Sequence, residues 1–152
     1  MTSLTLQQLI PVLQTAVGPV ILISGVGLLL LSMTNRFGRI VDRSRLLARE
    51  LPAAGDAERE FLTAQLAILY RRAKIIRLAI ILATASVLLA GLLIISLFLA
   101  ALLHLEAAVL VTLCFILCMA SLVGSLVGFL LELQVSLTAL RVELAQAGFH
   151  RS

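Results

Sequence analysis

Charge is what this chain has least of. Only 13% of its 152 residues are Asp, Glu, Lys or Arg, about half the share usual in a soluble domain. So few charged side chains cannot clothe a water-soluble globule of this size. With 61% hydrophobic residues, the chain carries an excess of apolar surface that calls for lipid. Tryptophan is absent and tyrosine occurs once, which removes the aromatic platforms on which single-stranded nucleic acid stacks. The chemistry-bearing patterns are missing too. No HExxH, CxxC or GxSxG occurs, and no Gly-rich phosphate loop opens a helix. The histidines, His104 and His150, are far apart, each near a helix end. No acid or base falls within an uncharged span, so a proton relay of the usual kind is not expected. No internal repeat supplies the two halves of an alternating-access carrier. These absences point away from an enzyme, a metal or other cofactor, and a proton-coupled transporter.

What the chain does have is three uncharged runs, residues 1–35, 78–105 and 107–131. Each is long enough, or nearly so, for the about 20 apolar residues that cross a bilayer. The expected fold is all-α: an integral membrane protein with three transmembrane helices and an extended cytoplasmic helical hairpin, assembled as a homo-oligomeric bundle. The boundaries read as an amphipathic lead-in at 1–15, a first span at 16–35, the hairpin at 36–77, a second span at 78–103, a third at 107–131, and a cytoplasmic tail at 132–152.

The net charge is +4 and the isoelectric point about 10.0, values that in a soluble protein would suggest nucleic acid. Placement argues otherwise. Ten of the twelve basic residues lie between Arg36 and Arg77, in the single segment joining the first and second spans. Short cytoplasmic loops carry such an excess, and anionic headgroups attract it. The order of charges sets the N-terminus outside and the C-terminus inside. A cleaved signal peptide is not expected, because the basic residues follow the apolar run instead of preceding it.

The first span mixes apolar residues with small ones. Gly18, Gly25 and Ser32 are seven apart and share one seam, with Ser24 and Gly27 beside it. Small residues let helix backbones approach closely in lipid; they also leave room for water in a pore-lining helix. Pro19 is expected to kink or start the helix. Thr34 and Asn35 close the span. Beyond them Phe37, Ile40, Val41, Ser44, Leu47 and Leu51 form an apolar face, with the arginines on the others. Asp42, one turn from Arg39 and Arg45, is either a surface ion pair or a clamp between subunits.

Leu51-Pro52-Ala53-Ala54-Gly55 reads as the turn of the hairpin. Asp56 is the expected N-cap, with Glu58 and Glu60 in the first turn. From Ala57 one helix is predicted to run unbroken into the second span. His104-Leu105-Glu106 is a brief wet connection; in an assembly around an axis, Glu106 would form an acidic ring at the outer mouth. The third span holds Cys114 and Cys118 on one face, read as small apolar residues in preference to a metal pair. Gly124-Ser125-Leu126-Val127-Gly128 is a small-xxx-small helix-packing motif with Ser121 nearby. Glu132 marks the end of the span.

The run Ser24-Gly25-Val26-Gly27-Leu28-Leu29-Leu30-Leu31-Ser32-Met33-Thr34-Asn35-Arg36-Phe37-Gly38-Arg39-Ile40-Val41-Asp42-Arg43 resembles a bacterial family of small three-span membrane proteins catalogued as a domain of unknown function (DUF2721-like). Similar spacing continues through Arg71-Arg72-Ala73-Lys74 and the third span. The resemblance implies the bacterial inner membrane and no settled activity, so no catalytic residues carry over.

Two readings of function follow. The first is a homo-oligomeric ion (cation) channel with its pathway between subunits. Gly18, Ser24, Gly25, Ser32, Thr34 and Asn35, or Ser121 and Ser125, would line it. Glu106 would shape the outer mouth, and Arg36, Arg39, Asp42 and Arg43 the inner one. The alternative is a membrane scaffold or regulatory subunit whose arginine-rich hairpin holds a cytoplasmic partner or anionic lipid. The expected partners are membrane lipid, further copies of the chain and a permeant ion, with no nucleic acid.

Overall fold

The structure, a computed structural model, describes residues 6–103 and 108–146. Among these the elements are helical throughout: α1 over Leu6–Glu50, a short 3₁₀ turn at Leu51–Ala53, α2 over Asp56–Leu103 and α3 over Ala108–Gln146. Three helices are long and apolar enough to cross a membrane. With 45 and 48 residues, α1 and α2 are each about 70 Å long at 1.5 Å per residue. That is more than twice the hydrocarbon thickness of a bilayer, about 30 Å.

The start of α1 differs from the sequence expectation. The helix is already formed at Leu6, and both Pro11 and Pro19 lie inside it, so Pro19 does not begin a separate span. Each proline removes one backbone donor, but the uncharged residues around them offer no competing turn. The Thr15 hydroxyl donates to the Pro11 carbonyl at 2.9 Å. At the other end, Pro52 and Gly55 break the chain where expected. The amide of Arg59 donates to the Gly55 carbonyl at 2.8 Å, so Gly55 takes the cap position expected of Asp56. Asp56 and Glu58 then sit in the first turn of α2, where the helix dipole favours negative charge.

The chain divides into two compact units, Met1–Leu31 with Ile81–Gly124, and Ser32–Ile80 with Ser125–Ser152. In the first, burial is inverted relative to a soluble protein. Ala16, Ala83, Ser86, Ala90 and Cys118 are among the buried residues, whereas Ile21, Leu28, Leu88, Ile95 and Val109 are exposed. Small side chains inside and large aliphatic ones outside is the arrangement that lipid permits, since burying a Leu gains little when the solvent is itself hydrocarbon. The α2–α3 contact is made by hydroxyl and thiol groups. The Ser121 hydroxyl donates to the Leu82 carbonyl at 2.7 Å, and the Cys118 thiol to the Ser86 carbonyl at 3.3 Å.

The second unit has a conventional core. Met33, Ile40, Leu69, Ile76 and Ala79 form one buried cluster, with Phe37, Leu47 and Phe129 packed against it. The apolar face expected at Phe37, Ile40 and Leu47 of α1 is therefore the face that meets α2. Ser125 is buried and donates its hydroxyl to the Ala79 carbonyl at 2.8 Å. One turn later, a Cβ added at Gly128 would lie 3.2 Å from the Ala79 Cβ. The small-xxx-small motif thus brings α3 close to α2.

This contact generates a stability test. A leucine at Gly128 overpacks against Ala79, at a cost of about 1–3 kcal/mol. Gly91 has open space where its Cβ would be. Denaturant unfolding in detergent, followed by circular dichroism, should show Gly128→Leu losing stability and Gly91→Leu keeping it.

Candidate functional site

Three helices of the second unit bring polar side chains to one place by helical spacing. Arg36, Arg39, Ile40 and Arg43 of α1 stand at i, i+3, i+4 and i+7, which is a single helix face. Leu69 and Arg72 of α2 are three apart, and Glu132 and Ser136 of α3 are four apart. Together these eight residues line a half-open recess of about 260 Å³.

Its back is an ion cluster. Glu132 is 1% exposed, and its two oxygens go to different helices. Arg36 Nη1 donates to Oε2 at 2.7 Å, and Arg72 Nη2 to Oε1 at 2.9 Å. The same Arg72 nitrogen donates to the Ser136 hydroxyl at 2.9 Å. The Arg36 guanidinium lies over the Phe129 ring, 5.5 Å from its centre, a distance at which the ring face attracts a cation. One carboxylate therefore ties α1, α2 and α3 together with short, charge-assisted hydrogen bonds.

The cluster is unbalanced. Leaving Arg43 aside, three arginines of the recess face one carboxylate, an excess of two positive charges among the described residues. Arg39 is exposed and takes part in no ion pair among them. The Nε of Arg72 is buried without an acceptor, and an unmet buried donor costs about 1–3 kcal/mol. Chemically, the arrangement suits an oxyanion: planar guanidinium groups match phosphate and carboxylate geometry in pairs.

The sequence candidates separate into distinct places. Arg36, Arg39 and Arg43 come together in the recess; Asp42 is exposed and does not line it. Gly18, Ser24, Gly25, Ser32, Thr34 and Asn35 are all exposed on α1. A Cβ at Gly18 or Gly25 would meet nothing within 4 Å, and the Ser24 hydroxyl donates to the Val20 carbonyl of its own helix at 3.3 Å. Ser121 and Ser125, by contrast, are engaged by α2 carbonyls. Gly124 and Gly128 are in tight contact with Leu82 and Ala79. Glu106 lies outside the described residues. Among the described residues no three His, Cys, Asp or Glu gather as metal ligands. The residues missed by the sequence reading are Glu132 as a buried group, together with Arg72, Ser136 and Phe129. The available signal was that Glu132 is the only carboxylate in residues 107–142, and an ionisable group among apolar residues marks a site with a partner.

A family model described as protein of unknown function (DUF2721) matches residues 16–142. The chain belongs to the DUF2721 family. No curated protein and no solved structure matches it. The match takes in most of each of the three helices and all eight residues of the recess.

The imbalance predicts unequal costs. Glu132→Gln leaves two arginines facing each other without a counter-charge, whereas Arg36→Gln leaves Glu132 paired with Arg72. Loss of one partner from a buried pair costs about 3–5 kcal/mol. Glu132→Gln should reach that range in denaturant unfolding, Arg36→Gln should cost less, and the double variant should recover part of the Glu132→Gln loss.

Proposed function

We propose that copies of this chain associate in the bacterial inner membrane along α1 and enclose between them a path for ions. The observation that carries the reading is the unused face of α1. Gly18, Ile21, Gly25 and Leu28 are exposed and fall at alternating spacings of three and four, and the spacing continues in the sequence through Ser32 and Asn35. That is the heptad seam along which helices supercoil around one another. A Cβ added at Gly18 or Gly25 would meet nothing within 4 Å in the protomer, whereas Gly124 and Gly128 are already packed on α2. Two glycines seven apart, Gly18 and Gly25, permit the close approach between helices that stabilises association in lipid.

Polarity supports the pathway. Ser32 and Asn35 are exposed at the arginine-bearing end of the span, and an amide or hydroxyl facing hydrocarbon is costly unless water or another helix meets it. Since the Ser121 and Ser125 hydroxyls are taken up by α2, α1 is the helix left to line the path. The concentration of basic residues between Arg36 and Arg77 supports a cytoplasmic position for the α1–α2 turn. Glu106 would then stand at the outer mouth and Arg39 and Asp42 near the inner one.

The test is mass measurement of the detergent-solubilised complex, paired with ion flux into liposomes. The wild type should be a multi-copy assembly that conducts a small cation. Gly25→Leu should weaken association about tenfold or more, equivalent to about 1.4 kcal/mol, and Asn35→Leu should reduce the flux carried by assemblies that keep the wild-type mass. A single-chain species, or liposomes sealed to sodium, potassium, calcium and chloride alike, would remove the reading.

A further inference from the structure

We propose that the recess beside the Glu132 cluster is a binding site for a phosphate group, either the headgroup of an anionic phospholipid or a free phosphate. The inference stands on the second unit of a single protomer and does not need copies to associate.

Four observations converge. The recess is lined by arginines from two helices, and Glu132 is the one carboxylate in its lining among the described residues. That carboxylate is fully engaged by Arg36 and Arg72, so it holds both guanidinium groups in place while leaving net positive charge. Arg39 stands free of ion pairs among the described residues at the edge of the recess, and Arg72 carries a buried Nε–H without an acceptor. Finally, the volume of about 260 Å³ falls just below the about 300–1,000 Å³ of pockets for drug-sized ligands. That is room for a phosphate with a few attached atoms, and the open side leaves space for whatever the phosphate is attached to.

The neighbouring surface is consistent with either source. Ile40 and Leu69 give the recess an apolar side, and exposed Leu130 and Leu131 precede Glu132 on α3, so acyl chains could continue along α3 from a headgroup held by the arginines. A guanidinium fork binds two phosphate oxygens at once, which an ammonium group cannot do. Arg39 is the residue whose contribution can be isolated, because the helix packing does not use it.

The full chain in detergent micelles is titrated with short-chain phosphatidylglycerol, with the zwitterionic phosphatidylcholine, and with inorganic phosphate. Saturable binding of one phosphatidylglycerol or one phosphate per chain is expected, with phosphatidylcholine weaker by tenfold or more. Arg39→Gln should weaken that binding about tenfold, the effect of losing one charge-assisted hydrogen bond. Arg39→Lys should recover part of it. Arg45→Gln removes the same charge from the same helix outside the recess and should leave the affinity unchanged. Phosphate binding with this same dependence assigns the site to free phosphate; phosphatidylglycerol binding without phosphate binding assigns it to the headgroup. No saturable binding of either, or equal losses from Arg39→Gln and Arg45→Gln, overturns the proposal. Gly25→Leu, which attacks the α1 seam, should leave this binding intact, so the two readings can fail separately.

Discussion

A carboxylate with its two oxygens claimed by two different helices sets the terms for the α1, α2 and α3 segments around it. Glu132 cannot be buried alone, because an isolated charge away from water costs many kcal/mol. Arg36 and Arg72 cannot both be drawn in beside it without a counter-charge. Each group makes the burial of the others tolerable. A cluster of this kind adds little net stability over a well-packed apolar replacement. What it adds is alignment. Apolar helices can slide past one another with small loss, whereas a shift of one turn, about 5.4 Å, would break the pairing of Glu132 with Arg36 and Arg72 together.

The remaining contacts fit around that alignment. Ser125 and Gly128 lie on α3 two turns and one turn before Glu132, and both meet Ala79 of α2. The serine hydroxyl satisfies a second acceptor on a carbonyl already used in its helix, and the glycine removes the side chain that would keep the backbones apart. In the first unit the same devices recur as Ser121 on Leu82 and Cys118 on Ser86. Packing by small residues and hydroxyl groups leaves the large aliphatic side chains facing outward, as a lipid solvent allows.

Much of this was legible in the sequence. Uncharged runs gave the three spans, because hydropathy reports directly on the solvent a segment must meet. Pro52 and Gly55 gave the break, and the spacing of Gly124 and Gly128 gave a close contact, though not its partner. The ion cluster was harder. Arg36 stood out by its position at the end of a span, but Arg72 was one basic residue among ten, and Glu132 looked like a marker of the water boundary. Their meeting depends on the axial offset between helices separated by long stretches of chain, and periodicity within one helix carries no information about that offset. Ser121 and Ser125 misled for a related reason: a hydroxyl on an apolar helix can face water or a neighbouring carbonyl, and its spacing is the same in both cases.

The position of Glu132 along the chain has a consequence for biogenesis. It is the last of the cluster to be synthesised, after Arg36 and Arg72 have already been made. Both of its bases therefore exist by the time the acid is made, and its pairing waits only on the docking of α3. Were the order reversed, with the acid on the first helix, it would wait for its partners through the synthesis of most of the protein.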